Sequence, residues 1–142
     1  MDVAKRDALL ARIEAGGALG DEANPAAFVT PEAFFDGNDD PGSFWCNLPD
    51  QPQDMGEILA LLLALRARPE VEDLRLLVTQ FDEGDEEWPF SDRVYLVGAV
   101  DAEAVAESFG DFAPDETWEC EDPGLAARLG HPGRPVVVLW WD

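Results

Sequence analysis

The segment DGNDD, at residues 36–40, has the residue types of the beginning of a calcium-binding loop. Asp36, Asn38 and Asp40 have the spacing of its first three ligands, because such a loop takes oxygens from alternate residues. Pro41 stands where the loop needs a glycine, and Asn47 stands where it needs a bidentate glutamate. The segment is therefore interpreted as an Asx-rich turn, and no metal is predicted. The alternative is a divalent cation bound within residues 36–47.

The loop that contains this turn also carries two adjacent aromatic residues, Phe44 and Trp45. Side chains of this kind bury roughly 150–250 Å² each when they dock onto a protein body. We therefore expect Phe44 and Trp45, and not a metal, to order residues 36–52. The loop is a secondary candidate binding site, formed by Asp36, Asn38, Asp39, Asp40, Phe44 and Trp45.

A second acidic cluster lies between two apolar segments and ends in a tryptophan. Its members are Asp82, Glu83, Asp85, Glu86, Glu87 and Trp88. An aromatic residue beside dense negative charge is typical of an interface in which the ring anchors the partner and the charges steer it. The cluster is the primary candidate site, and its predicted partner is a basic protein surface. The alternative is a solvated hairpin tip with Trp88 folded back over Pro89.

The remaining residue types do not suggest a catalytic centre. His131 is the single histidine, and no motif places it beside Cys46, Cys120 or a serine, as a nucleophile and its base require. The chain has too few His and Cys residues for a zinc site, and it lacks a phosphate-binding glycine-rich loop. No catalytic residue and no cofactor is predicted.

The composition is strongly acidic, with 31 Asp and Glu against nine Lys and Arg and a net charge of -22. Such a surface repels phosphate backbones and anionic lipid, so neither nucleic acid nor a membrane is expected as a partner. The longest apolar run, residues 58–65, is far shorter than the ~20 residues of a membrane span. With no signal peptide in view, the predicted location is the cytoplasm. Alternatively, the acidity is a compositional bias that keeps the chain soluble.

Hydrophobic periodicity predicts helices and strands around one central hairpin. The predicted helices are residues 2–13, 54–66 and 102–109, and the predicted strands are residues 28–35, 74–81, 93–100 and 136–141. A shorter strand is expected within residues 115–120, and a helical turn within residues 125–129. After the first helix, the order of the main elements is βαββαβ, which is that of the ferredoxin-like fold.

The predicted fold class is therefore α+β, an antiparallel sheet with helices in the ferredoxin-like order and an additional N-terminal helix. We expect a single domain over residues 1–142, with a helical extension at residues 1–20 and an α+β core at residues 28–142. Both faces of the sheet carry apolar side chains, which indicates that both are covered. We expect the face of Leu77 and Phe81 to lie under the first helix or under a second subunit. In the second case the protein is a homodimer.

Three segments resemble a group of small, acidic, uncharacterised bacterial proteins: FFDGNDDPGSFWCNLPD, EWPFSDRVYLV and the terminal VVVLWWD. The resemblance covers most of the chain after Thr30. It implies no activity, and no catalytic residue is carried over from it. Size and acidity are also similar in type to those of the immunity proteins of bacterial toxin systems.

These observations favour a non-catalytic, acidic protein-binding domain, either an immunity-type protein or a regulatory inhibitor of a basic protein partner. Two alternatives stay open. One is a small enzyme that uses the carboxylate-rich loop, with or without a divalent cation. The other is a structural or oligomeric domain without a specific ligand.

Overall fold

The computed structural model describes residues 1–44, 54–82 and 87–141. The elements in chain order are α1 (Val3–Gly16), β1 (Phe28–Val29), α2 (Pro31–Phe35), α3 (Met55–Arg66), β2 (Asp73–Leu77), β3 (Arg93–Val97), α4 (Ala102–Ser108), β4 (Glu116–Glu119), α5 (Pro123–Arg128) and β5 (Val136–Trp140). In the described part, five strands form one antiparallel sheet in the order β1-β2-β3-β5-β4. The predicted α+β class is confirmed.

The predicted ferredoxin-like strand order is wrong. In that order the first strand lies inside the sheet, whereas β1 lies at its edge and pairs with β2, with Phe28 opposite Leu77. The predicted strand 28–35 ends after two residues because Thr30 caps a helix. The Thr30 side chain accepts a hydrogen bond from the Ala33 amide, and Pro31 takes the first helical position. A crossover through one helix would return the chain parallel, but this connection contains two helices and β2 runs antiparallel to β1.

One face of the sheet is apolar on β1, β2, β3 and β5 and packs against helices, whereas β4 contributes Thr117 and Glu119 to it. Residues opposite each other in an antiparallel pair share a face, so the register defines its members. The apolar ones are Val29, Leu74, Leu76, Val94, Leu96, Val137 and Leu139, and all are buried. The helices α3 and α4 contribute Ile58, Leu62 and Val105 to the same core. This face forms the main hydrophobic core of the protein.

The opposite face, which carries Leu77 and Tyr95, is also buried, as the apolar character of both faces predicts. Near its edge, the Arg6 guanidinium of α1 lies 5.3 Å from the centre of the Phe81 ring. Over its centre, the Tyr95 hydroxyl donates to Glu22, in the connector between α1 and β1, at 2.9 Å. Arg128 of α5 in turn donates to the Glu22 carbonyl at 3.0 Å. The connector and α5 thus cover this face together with α1.

A bidentate ion pair joins α2 to α3. Both carboxylate oxygens of Glu32 accept hydrogen bonds from the Arg66 guanidinium, each at 2.6 Å. These hydrogen bonds are the main reason that the pKa of Glu32 falls from its ordinary value of 4.5 to about 2. The pair therefore joins two helices that are separated in sequence by residues 36–54.

We expect Glu32→Gln to lower the free energy of unfolding by about 0.5–1 kcal/mol at neutral pH, a value limited by solvent screening of this exposed pair. Because the folded-state pKa lies below that of the unfolded chain, the stabilisation is complete above the unfolded-state pKa. It is lost as the pH falls through the folded-state pKa. Urea denaturation of Glu32→Gln, Arg66→Gln and the double variant measures the coupling between the two side chains. A coupling that did not shrink between neutral pH and pH about 2 would contradict this assignment.

Candidate functional site

The secondary candidate loop forms an Asx-rich turn whose buried amide is fully engaged. The Nδ2 of Asn38 donates to Ser43 Oγ at 2.8 Å and to the Phe34 carbonyl at 3.3 Å. Its Oδ1 accepts from the Asp40 amide at 2.9 Å. A buried amide that makes three hydrogen bonds of this kind fixes the backbone around it. The turn is therefore a structural motif of the protein.

The carboxylates of this turn also have partners within the chain. Asp36 accepts from Lys5 Nζ at 2.7 Å, and this hydrogen bond raises the pKa of Lys5. Asp39 accepts from the N-terminal ammonium at 2.8 Å, and this hydrogen bond lowers the pKa of Asp39. Asp40 accepts from the backbone amide of Gly42 at 2.9 Å. Over the described ranges, no group of three or more His, Cys, Asp or Glu side chains is placed to hold a metal ion.

Phe44 follows the turn and is fully buried. Its ring lies 5.6 Å from that of Trp141 and 6.2 Å from that of Phe34. The ring of Phe35 is at a similar distance. Phe44 therefore docks onto the protein body as expected, whereas Trp45 lies outside the described residues.

The primary candidate cluster is described only at its two ends. Asp82 and Glu87 are exposed, and Glu83, Asp85 and Glu86 lie outside the described residues. Trp88 is 2% exposed and belongs to the hydrophobic core. Its backbone amide donates to Asp40 Oδ2 at 3.3 Å, which links this segment to the Asx-rich turn. In this conformation Trp88 presents almost no surface to a partner.

The groups that could act as nucleophiles are engaged elsewhere. His131 Nε2 lies 2.9 Å from Asp73 Oδ2. The hydroxyls of the three serines donate to the backbone carbonyls of Asp40, Arg93 and Val105. Burial raises the pKa of the Cys120 thiol, so this sulfur holds its proton. Cys46 lies outside the described residues.

The basic side chains are mostly neutralised within the chain. Of the nine Lys and Arg residues, eight form ion pairs with carboxylates: Lys5, Arg6, Arg66, Arg68, Arg75, Arg93, Arg128 and Arg134. Most pairs lie near the surface and contribute little to stability individually. Their consequence for the surface is larger, because they leave very little positive charge to balance the remaining carboxylates.

Residues 94–127 form a strongly acidic segment of the chain, with no Lys or Arg. The segment includes α4, β4 and most of α5. It contains nine carboxylates, all exposed: Asp101, Glu103, Glu107, Asp111, Asp115, Glu116, Glu119, Glu121 and Asp122. This surface was not predicted from the sequence, because its carboxylates are spread along the chain and do not form a dense local cluster. Residues 13–65 also lack Lys and Arg, but Glu32, Asp36 and Asp39 of that interval pair with Arg66, Lys5 and the N-terminal ammonium.

The strand β4 crosses this acidic segment at the edge of the sheet, with β5 as its neighbour. The Cys120 amide donates to the Val136 carbonyl at 2.8 Å, so the backbone groups of Cys120 and Trp118 point towards β5. Because alternate residues of a strand point in opposite directions, those of Thr117 and Glu119 point away from the sheet. The Trp118 side chain is 38% exposed. The acidic segment, the free strand edge and the exposed indole coincide.

The fold and this surface define a small, acidic α+β protein with one antiparallel sheet. The chain belongs to the family described as "Uncharacterized protein YfbO family", whose model matches residues 4–137. It is 33% identical over 135 residues to "Uncharacterized protein YfbO" of Escherichia coli (strain K12), an alignment that covers 92% of this chain and 93% of that protein. No solved structure matches the chain.

The predicted resemblance to an uncharacterised bacterial family is thereby confirmed at the level of the family. The comparisons do not bear on the likeness to immunity proteins. No helix of the described residues is both long enough and apolar enough to span a membrane.

Proposed function

We propose that this protein is a non-catalytic binding domain that recognises a basic surface of another protein. The observation that supports the proposal is the distribution of charge. Eight of nine basic side chains are paired internally, while nine exposed carboxylates lie on a segment without Lys or Arg. Asp101 and Asp122 cap α4 and α5, but a high density of like charge as a whole repels itself and opposes folding.

A surface of this kind assists binding through the rate of association. Its field attracts a cationic partner over about 8 Å at physiological salt and orients that partner before contact. Proteins that act on nucleic acids carry basic surfaces that neutralise phosphates, so an acidic protein can compete for them. The specific form of the proposal is therefore a cytoplasmic inhibitor of such a protein, of the immunity type or the regulatory type.

The test begins with the full chain immobilised and exposed to a lysate of its source bacterium at about 0.05 M salt, then washed at about 0.5 M. We expect a basic protein to bind in the first buffer and to leave in the second. Association and dissociation rates are then measured with that purified partner.

Two variants that each remove three carboxylates locate the contact. One carries Glu103→Gln, Glu107→Gln and Asp111→Asn around α4, and the other carries Asp85→Asn, Glu86→Gln and Glu87→Gln in the primary candidate cluster. Each is expected to slow association by up to about tenfold at low salt, with little change at high salt. The larger effect identifies the cluster nearer to the partner.

Arg12→Gln is the matched control, because it changes the net charge in the opposite direction at an exposed site on α1. It should speed association. The proposal is rejected if no basic protein is captured, or if the two carboxylate variants bind the partner at the wild-type rate.

A further inference from the structure

We infer that the outer edge of β4 is the binding site for an extended, basic segment of the partner, which pairs with β4 as an additional strand of the sheet. This inference rests on the proposed function and names the site and the backbone conformation of the partner. Addition of a strand to a sheet edge is a general mode of peptide recognition, in which main-chain hydrogen bonds supply affinity and side chains supply specificity.

The outer edge of β4 has backbone groups that remain unpaired within the described residues. Thr117 and Glu119 direct their N–H and C=O groups away from β5, and β4 has no further strand beside it among the described residues. Proteins usually protect such an edge with charged side chains, above all lysine, with proline, with a bulge or with a covering element. Residues 116–119 contain no proline and are mostly exposed, and their only charges are the carboxylates of Glu116 and Glu119, which repel an acidic strand and attract a basic one. The edge is therefore available for pairing.

Trp118 adds an exposed indole to this edge. It is one of two large hydrophobic side chains in the described part that are classed as exposed, the other being Val3 on α1. The register places Trp118 on the same face as Trp140, diagonally across the β4–β5 pair. A partner strand beside β4 would place a side chain next to the exposed indole. A lysine or arginine there would gain a cation–π contact, to which tryptophan contributes most among the aromatic residues.

The negative charge around β4 indicates the chemistry of the partner. Glu116 and Glu119 are exposed on β4, Asp115 and Glu121 flank it, and the nearest Lys or Arg in sequence is Arg128. A second copy of the chain would bring β4 carboxylates opposite each other, and like charges in opposite positions destabilise strand pairing. A segment with alternating basic side chains would instead place its cations on one face of the sheet, beside Glu116 and the Trp118 indole. The occupant is thus a basic strand of another protein.

The probe for this site is a capped synthetic peptide of alternating lysine and threonine, titrated into the ¹⁵N-labelled full chain at about 0.15 M salt. We expect the amide resonances of Thr117 and Glu119 to shift most, together with the Trp118 indole resonance. A peptide with the same side chains but several consecutive N-methylated amides keeps its charge and cannot pair through either edge. It should bind at least about tenfold more weakly.

A matched pair of substitutions tests the same edge from the protein side. Thr117→Pro removes an N–H that points away from β5, so it leaves the bonds to β5 and the net charge unchanged. Thr117→Val keeps the N–H and a similar shape. The proline variant should bind the lysine–threonine peptide at least about tenfold more weakly, and the valine variant should bind it like the wild type. If the proline variant does not fold, the comparison between the two peptides decides alone.

Equal binding of both peptides, or of the proline and valine variants, overturns the inference. If the peptide binds in a salt-dependent way but N-methylation and Thr117→Pro leave its affinity unchanged, the inference is overturned and the proposed function is retained. Failure of the chain to bind any basic probe or lysate protein rejects both. A dimer in sedimentation that Thr117→Pro dissociates would make a second copy the occupant, and this also overturns the inference.

Discussion

Replacing Phe44 by alanine is expected to lower the free energy of unfolding by about 3–5 kcal/mol, the usual cost of removing a large aromatic side chain from a core. The Phe44 ring is fully buried and packs against the rings of Phe34, Phe35 and Trp141. Phe34 and Phe35 belong to α2, Trp141 follows β5, and Phe44 itself lies in the loop after α2. Its loss would therefore leave a cavity where three separate parts of the chain meet.

Phe44→Leu is the matched control, because leucine keeps much of the apolar volume and should cost less than the alanine variant. Urea denaturation followed by circular dichroism measures both. If Phe44→Ala unfolded at the same urea concentration as the wild type, the loop would not be held by this ring. The docking interpretation of residues 36–44 would then be wrong.

Gly98→Ala is expected to destabilise the protein by about 3 kcal/mol or more, since it combines backbone strain with overpacking. Gly98 has φ of 134°, a conformation that side chains other than glycine rarely adopt. A Cβ atom at this position would also overlap the carbonyl oxygen of Glu70. The Gly98 backbone cannot move freely, because its amide donates to the Pro135 carbonyl at 2.9 Å. On the other side of the contact, the Glu72 amide donates to the Val97 carbonyl at 2.8 Å, so the segment beside Glu70 is also held.

Gly110→Ala separates these two effects. Gly110 also has a positive φ, of 58°, but no atom of the described residues lies within 4 Å of a Cβ built there. Only the conformational cost remains, and it is about 1 kcal/mol. Thermal unfolding of both variants should show a clearly larger loss for Gly98→Ala. Equal losses would mean that the Glu70 carbonyl moves aside.

The sequence predicts the elements of this fold better than their arrangement. The central hairpin was predictable because alternation and β-branched residues act locally, and β2 and β3 pair with Asp73 opposite Val97. The helix α3 was predictable from its apolar spacing and its Asp54 cap. The short strand β4 and the helix α5 lie where they were expected.

The misplaced element is the segment FVTPEAFF. Its apolar residues suggested a strand, but a Thr cap followed by Pro and Glu is a helix-start pattern, and α2 begins there. Strand order was not predictable, because nothing local in β1 distinguishes β2 from any other partner. The burial of Trp88 was not predictable either, because its side chain packs into a core formed by residues that are distant in sequence. The free edge of β4 likewise appears only when the whole sheet is assembled.

The strand order also has a consequence for how the chain reaches its folded state. The pairs β2–β3 and β4–β5 join consecutive strands through the short segments 78–92 and 120–135, so each pair can form with less loop entropy lost than β1–β2, which residues 30–72 separate. The β3–β5 pair must bypass β4, and it unites the two pairs along Val94–Leu139 and Leu96–Val137. Nucleation therefore has two local starting points, and the docking of β5 onto β3 is the step that makes folding cooperative across the whole sheet.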